Sequence, residues 1–231
     1  MKEKLKYAFH CLLDLFYPKL CPACNKNLSA EEELICIHCE LHLPLTHYFD
    51  YENNPIEKLF WGRVKVGTAA SLYFFNKGEG IQRLMHQLKY KERKDVGLWL
   101  GKKLAKEMMA SNRFNDIELI IPIPLHPKKE FKRGYNQSML IAKAMEEACG
   151  VQCSDLLQRI ENSGSQTRKG KYDRWLNVSS AFRLSANHSL ENKNVVLVDD
   201  VITTGATLEA AVSALLSAGV KNVSIATVAS A

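Results

Sequence analysis

At 231 residues, 46% hydrophobic and 24% charged, the chain has the make-up of an ordinary soluble globular protein, with room for one domain and an appendage or for two small domains. No internal repeat or low-complexity tract is present. The net charge of +6 suits a partner rich in phosphate, whether nucleotide or nucleic acid.

Residues 1–20 read as an amphipathic helix, with Leu5, Phe9, Leu12, Leu13 and Phe16 on one face and a stop before Pro18. Asp14 and Pro18 keep this segment well short of a membrane span, and it lacks the small-residue cleavage site of a signal peptide. The expected location is therefore the cytoplasm, where thiols stay reduced.

Residues 21–45 hold two CxxC pairs, Cys21 with Cys24 and Cys36 with Cys39. Paired thiolates on tight turns can close a tetrahedral Zn²⁺ site. Two disulfides or a redox-active pair are the competing readings. A reducing compartment and the lack of an adjacent βαβ redox pattern favour metal. Four protein ligands leave no open position, so this zinc would be structural; His38, within the second pair, could replace one thiolate but is expected outside the shell. Cys11, Cys149 and Cys153 show no partner spacing and read as small core residues.

Beyond an aromatic stretch over 47–61, the segment 66–75 reads as a strand and Asn76-Lys77-Gly78 as a turn. A helical pattern covers 81–109, interrupted near Arg93-Lys94-Asp95. Residues 119–125 form an apolar strand whose prolines mark its exit. Asn136 caps a helix carrying Leu140, Ile141, Ala144 and Met145, which Gly150 ends. Segments 155–160 and 178–184 flank a polar loop, and a last strand covers 223–228. Alternating strands and helices with crossovers of this length predict a parallel sheet, in a doubly wound α/β domain over 60–231.

The densest chemical signal is the string from Val195 to Thr207. Val195-Val196-Leu197-Val198 reads as a strand buried on both faces. Asp199 and Asp200 emerge at its carboxyl end, where open α/β sheets place ligands. Thr203, Thr204, Gly205, Ala206 and Thr207 then lead into a helix with Leu208, Ala211, Val212, Leu215 and Leu216 on one stripe and Gly219 as its stop. A helix N-terminus behind a glycine cradles phosphate, while two carboxylates accept hydrogen bonds from a sugar diol or help to hold Mg²⁺. The combination points to a ribose phosphate.

Two basic segments supply cations for an anionic leaving group. His126 to Gln137, with Lys132, Arg133, Gly134 and Tyr135, leaves the first α/β strand as a loop at the carboxyl edge of the sheet. Gln166, Thr167, Arg168, Lys169 and Arg174 follow small polar residues and read as a mobile lid that excludes water. A solvated basic loop and an exposed charged hairpin are the plainer readings of the two segments.

The Asp-Asp-x-x-Thr-Thr-Gly-x-Thr string resembles the PRPP-binding motif of type I phosphoribosyltransferases (PRPP is 5-phosphoribosyl 1-pyrophosphate). The resemblance implies that Asp199 and Asp200 hold the ribose and that Thr203 to Thr207 hold the 5′-phosphate. The cysteine module, Leu88-Lys89-Tyr90-Lys91, Pro122 to Pro127, Arg133-Gly134-Tyr135-Asn136-Gln137, Gln166-Thr167-Arg168 and the acid pair together resemble the ComF family. That family implies a type I phosphoribosyltransferase-like fold with a small N-terminal four-cysteine zinc module, PRPP with Mg²⁺, and a link to natural competence. It also implies a pyrophosphate loop at 132–135 and a catalytic loop at 166–174, giving Asp199, Asp200, Arg133, Arg168 and Lys169 as the catalytic set. Two positions depart from the pattern: Glu92 stands where many relatives have glycine, and Thr203 where purine-salvage enzymes carry an aspartate. No general base for a nucleobase is therefore visible in the motif, and the acceptor is open. The rival to a transferase is a non-catalytic module that binds single-stranded DNA or competence proteins through basic loops and aromatics.

Overall fold

The computed structural model describes residues 18–76, 78–159, 181–185 and 190–231. The helix expected over 1–20 and the cationic segment 166–174 lie outside these residues, apart from the short stretch 18–20.

Four strands form an all-parallel sheet in the order β1-β6-β5-β2. These are β1 (Ala69–Phe74), β2 (Leu119–Pro122), β5 (Asn194–Ile202) and β6 (Asn222–Ser230). The segment after β2 and its helix returns to the free edge of β2 through a parallel bridge, Ile120 to Cys153. A short antiparallel pair, β3 (Leu157–Arg159) and β4 (Phe182–Leu184), stands apart from the sheet. Val195 to Val198 are fully buried, as their unbroken apolar run requires of a central parallel strand.

Seven helices accompany the strands among the described residues: α1 (Ile37–His42), α2 (Pro55–Lys58), α3 (Gly80–Tyr90), α4 (Lys94–Ala110), α5 (Pro127–Arg133), α6 (Gln137–Cys149) and α7 (Ala206–Ser217). The expected break in the helical run falls between α3 and α4, where Glu92 has φ +53°. The turn thus keeps the left-handed conformation that glycine would adopt freely, and a glutamate is held in it. Asn136 caps α6 through its side chain, and Gly150 ends it with φ +74°. α4 and α6 pack closely against each other because Gly97 and Gly101 bring no side chain to the contact. A Cβ on Gly101 would lie 2.5 Å from the Ile141 carbonyl oxygen.

Two differences from the sequence reading concern the site. The basic segment after β2 is a short helix, α5, rather than a loop: His126 accepts from the Lys128 N–H and Pro127 sits at the first helical turn. β5 also runs through the acid pair to Ile202, because Asp199 stays paired with Thr227 and Val201 with Ala229 of β6.

The crossovers set where a ligand can sit. From β5 the chain passes through α7 to β6 on one side. From β2 it passes through α6 to the edge segment on the other. Right-handed crossovers then place α6 and α7 on opposite faces, opening a crevice between the carboxyl ends of β5 and β2.

Candidate functional site

Asp199 and Asp200 occupy that crevice. Asp199 Oδ1 accepts from the Ser138 hydroxyl at 2.8 Å and from the Asp200 backbone N–H at 2.8 Å. Burial and the neighbouring Asp200 charge push its carboxyl up to about 7, against the opposing pull of these donors and of Lys89. Asp200 Oδ2 lies 2.8 Å from Lys89 Nζ, and both side chains are largely buried (14% and 21% exposed). The pair is thus held by one hydroxyl from α6 and one ammonium from α3.

The loop expected to cradle phosphate follows directly. Gly205 caps α7 with φ +75°, and a Cβ there would lie 3.2 Å from the Phe60 ring. Only glycine meets both the left-handed turn and this close approach without strain. Thr203, Thr204, Ala206 and Thr207 are exposed around it, while the first N–H groups of α7 have no intrahelical acceptor. Arg63 clamps the loop from outside: it donates to the Thr204 carbonyl at 3.0 Å and pairs with Glu209 on the first turn of α7.

Across the crevice, the string Arg133 to Gln137 is built in. Gly134 ends α5 with φ +75°. The Tyr135 hydroxyl donates to the Leu88 carbonyl of α3. Buried Gln137 accepts from Arg133 at 2.8 Å, and the guanidinium stacks 5.5 Å from the Tyr90 ring centroid. A cavity of about 310 Å³ results, lined by Lys89, Tyr90, Glu92, Lys129, Lys132 and Arg133. Lys132 and Arg133 therefore face a cationic pocket, whereas Gly134 and Tyr135 line a different cavity. Arg168, Lys169 and the rest of the expected lid lie outside the described residues.

Several site residues escaped the sequence. Lys89 sits inside a string noted only for resemblance, and Ser138 directly follows another. Arg63 lies 141 positions from Thr204 and carries no local signal at all.

The four cysteines Cys21, Cys24, Cys36 and Cys39 bring their sulfurs within 4.8 Å of one another. Cys24 and Cys36 Sγ are 3.7 Å apart, close to the ~3.8 Å edge of a tetrahedron with Zn–S bonds of about 2.3 Å. Burial raises the Cys21 thiol, but N–H groups of Cys36, Ala23 and Cys24 outweigh it and hold it down at about 7. The cluster fits a metal ion. His38 stacks on His42 instead, with ring centroids 4.3 Å apart. Arg83 of α3 donates to the Ala23 carbonyl and Lys103 of α4 pairs with Glu40, so the module is fastened to the helices beside the site. Cys153 is buried in the core and Cys149 is half-buried against it, as their lone spacing suggested.

Comparison with known proteins shows what this arrangement is similar to. A family model described as phosphoribosyl transferase domain matches residues 138–231. Competence protein F of Haemophilus influenzae is 26% identical over 224 residues, covering 94% of this chain and 93% of that one. The carboxyl-terminal part of the chain is thus similar to phosphoribosyl transferase domains, and nearly the whole chain is similar to competence protein F. Competence protein ComFC of Bacillus subtilis is 37% identical over 101 residues, 44% of this chain and 39% of that protein. DNA utilization protein YhgH of Salmonella typhimurium is 30% identical over 149 residues, covering 63% of this chain and 65% of that protein's length. Among solved structures, the glutamine PRPP amidotransferase of B. subtilis complexed with ADP and GMP is 23% identical, with a TM-score of 0.43 over 62% of this chain and 30% of that one. No described helix is long and apolar enough to cross a membrane.

Proposed function

We propose that this ComF-like chain is a phosphoribosyltransferase acting on PRPP with Mg²⁺, and that it serves the handling of imported DNA. The observation that carries the reading is the convergence, at one crevice, of the acid pair, the Gly205 cradle and the cationic cavity. Asp199 and Asp200 accept from the ribose hydroxyls, and the first N–H groups of α7 with Thr203, Thr204 and Thr207 hold the 5′-phosphate. Lys132 and Arg133 stabilise departing pyrophosphate, while Gly134 ends the helix that carries them and Tyr135 ties the following turn to α3. A nucleophile attacks C1 of the ribose, the C1–O bond breaks, and its electron pair leaves with pyrophosphate. Mg²⁺ would offset the charge of the phosphates during that step. Gln166, Thr167, Arg168, Lys169 and Arg174 are proposed as the lid, with Arg168 and Lys169 meeting the leaving group. Zn²⁺ is the proposed ion at the four cysteines, as structural metal, in a module spanning 21–45 ahead of a transferase domain over 60–231.

Pyrophosphate release tests this directly. The chain is mixed with Mg²⁺, PRPP and, in turn, nucleobases, amines and a single-stranded oligonucleotide. Release that needs one acceptor class and vanishes in Asp199→Asn/Asp200→Asn supports the transferase. Absence of release with every acceptor favours the binding-module reading, for which Phe131, 92% exposed on the lysine-rich α5, is the specific observation. In that case affinity for single-stranded DNA should fall steeply with salt.

A further inference from the structure

Lys89 stands at the junction of the two halves of the site. Its ammonium pairs with Asp200 at 2.8 Å, and the same side chain lines the cationic cavity with Lys129, Lys132 and Arg133. Of the six residues around that cavity it alone, among the described residues, pairs with the acid pair. The lysine stem is flexible and carries a compact charge, so a change of rotamer suffices to move it from carboxylate to cavity.

Its anchor, in contrast, is rigid. Ile81, Leu84, Met85 and Leu88 bury one face of α3. Arg83 fastens that helix to the cysteine module, and Tyr135 fastens its last turn to the loop after α5. Lys89 follows the residue that Tyr135 grips, so the helix end is fixed and only the side chain has freedom.

We propose that Lys89 serves two partners in turn. In the empty site it neutralises Asp200. When ribose hydroxyls take its place on the carboxylate, it turns to the pyrophosphate group in the cavity. This rests on the sugar-phosphate reading above and adds a named residue to it. The physical reason is the change of partners. Two adjacent carboxylates in a largely buried site need a cation while empty. Once hydroxyl donors satisfy Asp200, a multiply charged pyrophosphate is the stronger partner for the ammonium.

The test separates two ligands that occupy the two halves. Ribose 5-phosphate and magnesium pyrophosphate are titrated separately by calorimetry, at about pH 8 so that carboxylates are ionised. Native chain, Lys89→Gln and Lys89→Arg are compared, with thermal unfolding and metal content checking that each is folded. Lys89→Gln should lose roughly 10- to 100-fold in pyrophosphate affinity, as expected for a lost charge-assisted contact. Its affinity for ribose 5-phosphate should change by less than about threefold, because released Asp200 still accepts from the sugar. Lys89→Arg should recover most of the pyrophosphate affinity.

A lysine that only shores up the acid pair would give the opposite split, with ribose 5-phosphate the more weakened, and that result overturns the proposal. Unchanged pyrophosphate affinity in Lys89→Gln overturns it too, while native binding of both ligands leaves the sugar-phosphate reading standing. A native chain that binds neither ligand overturns that reading, and the role of Lys89 with it.

Discussion

The β5–α7 corner and the α3–α5 cleft face each other across one crevice, yet they are built differently. The corner is contiguous: Asp199, Asp200, Gly205 and the start of α7 follow one another along the chain. The cleft is assembled from parts, with Lys89 on one helix and Lys129, Lys132 and Arg133 on another. The corner therefore depends on local turn chemistry, and the cleft on how α3 is held. Each should fail to a different perturbation.

Metal removal should give the largest effect, and it should fall on the cleft. Cys21, Cys36 and Leu43 belong to the main core, and α3 is fastened to the module at Ala23. A structural Zn²⁺ in a small module contributes on the order of 10 kcal/mol to its folding. Cys21→Ser, or stripping by a chelator, should lower Tm markedly and abolish pyrophosphate binding first. Metal analysis with thermal unfolding checks the first part and calorimetry the second. Retained pyrophosphate affinity in metal-free chain would break the proposed coupling.

Gly205→Ala should hit the corner instead. Its positive φ and the Phe60 ring at 3.2 Å predict a destabilisation of about 1–3 kcal/mol. Affinity for ribose 5-phosphate should fall at least tenfold, that of pyrophosphate little. Equal losses for both ligands would mean that the two regions are not separable.

The pH dependence sharpens the account of the acid pair. The folded Asp199 carboxyl sits near 7, above its unfolded value of about 3.9. Its contribution to stability is thus fully present below about pH 4 and is lost as pH rises through about 7. Asp199→Asn should unfold at the same temperature as native chain near pH 4 and at a higher one at pH 8, by roughly 2–4 °C per kcal/mol relieved. Ribose 5-phosphate should bind native chain more tightly as pH rises from 5 to about 7 and then level off. A flat profile would contradict the ionised acceptor.

The smallest effect is expected at Glu92, whose φ of +53° costs an L-residue about 1 kcal/mol. Glu92→Gly should raise Tm by a degree or two, less whatever the glycine adds to unfolded-chain entropy. A fall in Tm would show that the carboxylate itself matters beside the cationic cavity.

What could be read in advance follows the same division. The acid pair, the cradle, the cysteine spacing and the Asn136 and Gly150 caps are local, and each leaves its mark within a few residues. α5 was hidden because its seven residues, Pro127–Arg133, rich in cations, carry no apolar stripe. The far end of β5 was hidden because aspartates disfavour strands, and only its pairing with β6 keeps the ladder running. Ser138 against Asp199, Lys89 against Asp200 and Arg63 against Thr204 are tertiary contacts between distant segments. No pattern in a single sequence joins them.

The most direct test of the central claim is calorimetric titration of Mg²⁺-PRPP into the metal-loaded chain, native and Asp199→Asn/Asp200→Asn. The account predicts saturable binding to native chain that the double substitution weakens by roughly 100-fold or more, as for loss of two charge-assisted acceptors. Absence of binding to folded native chain, or equal affinity in the double variant, would contradict it.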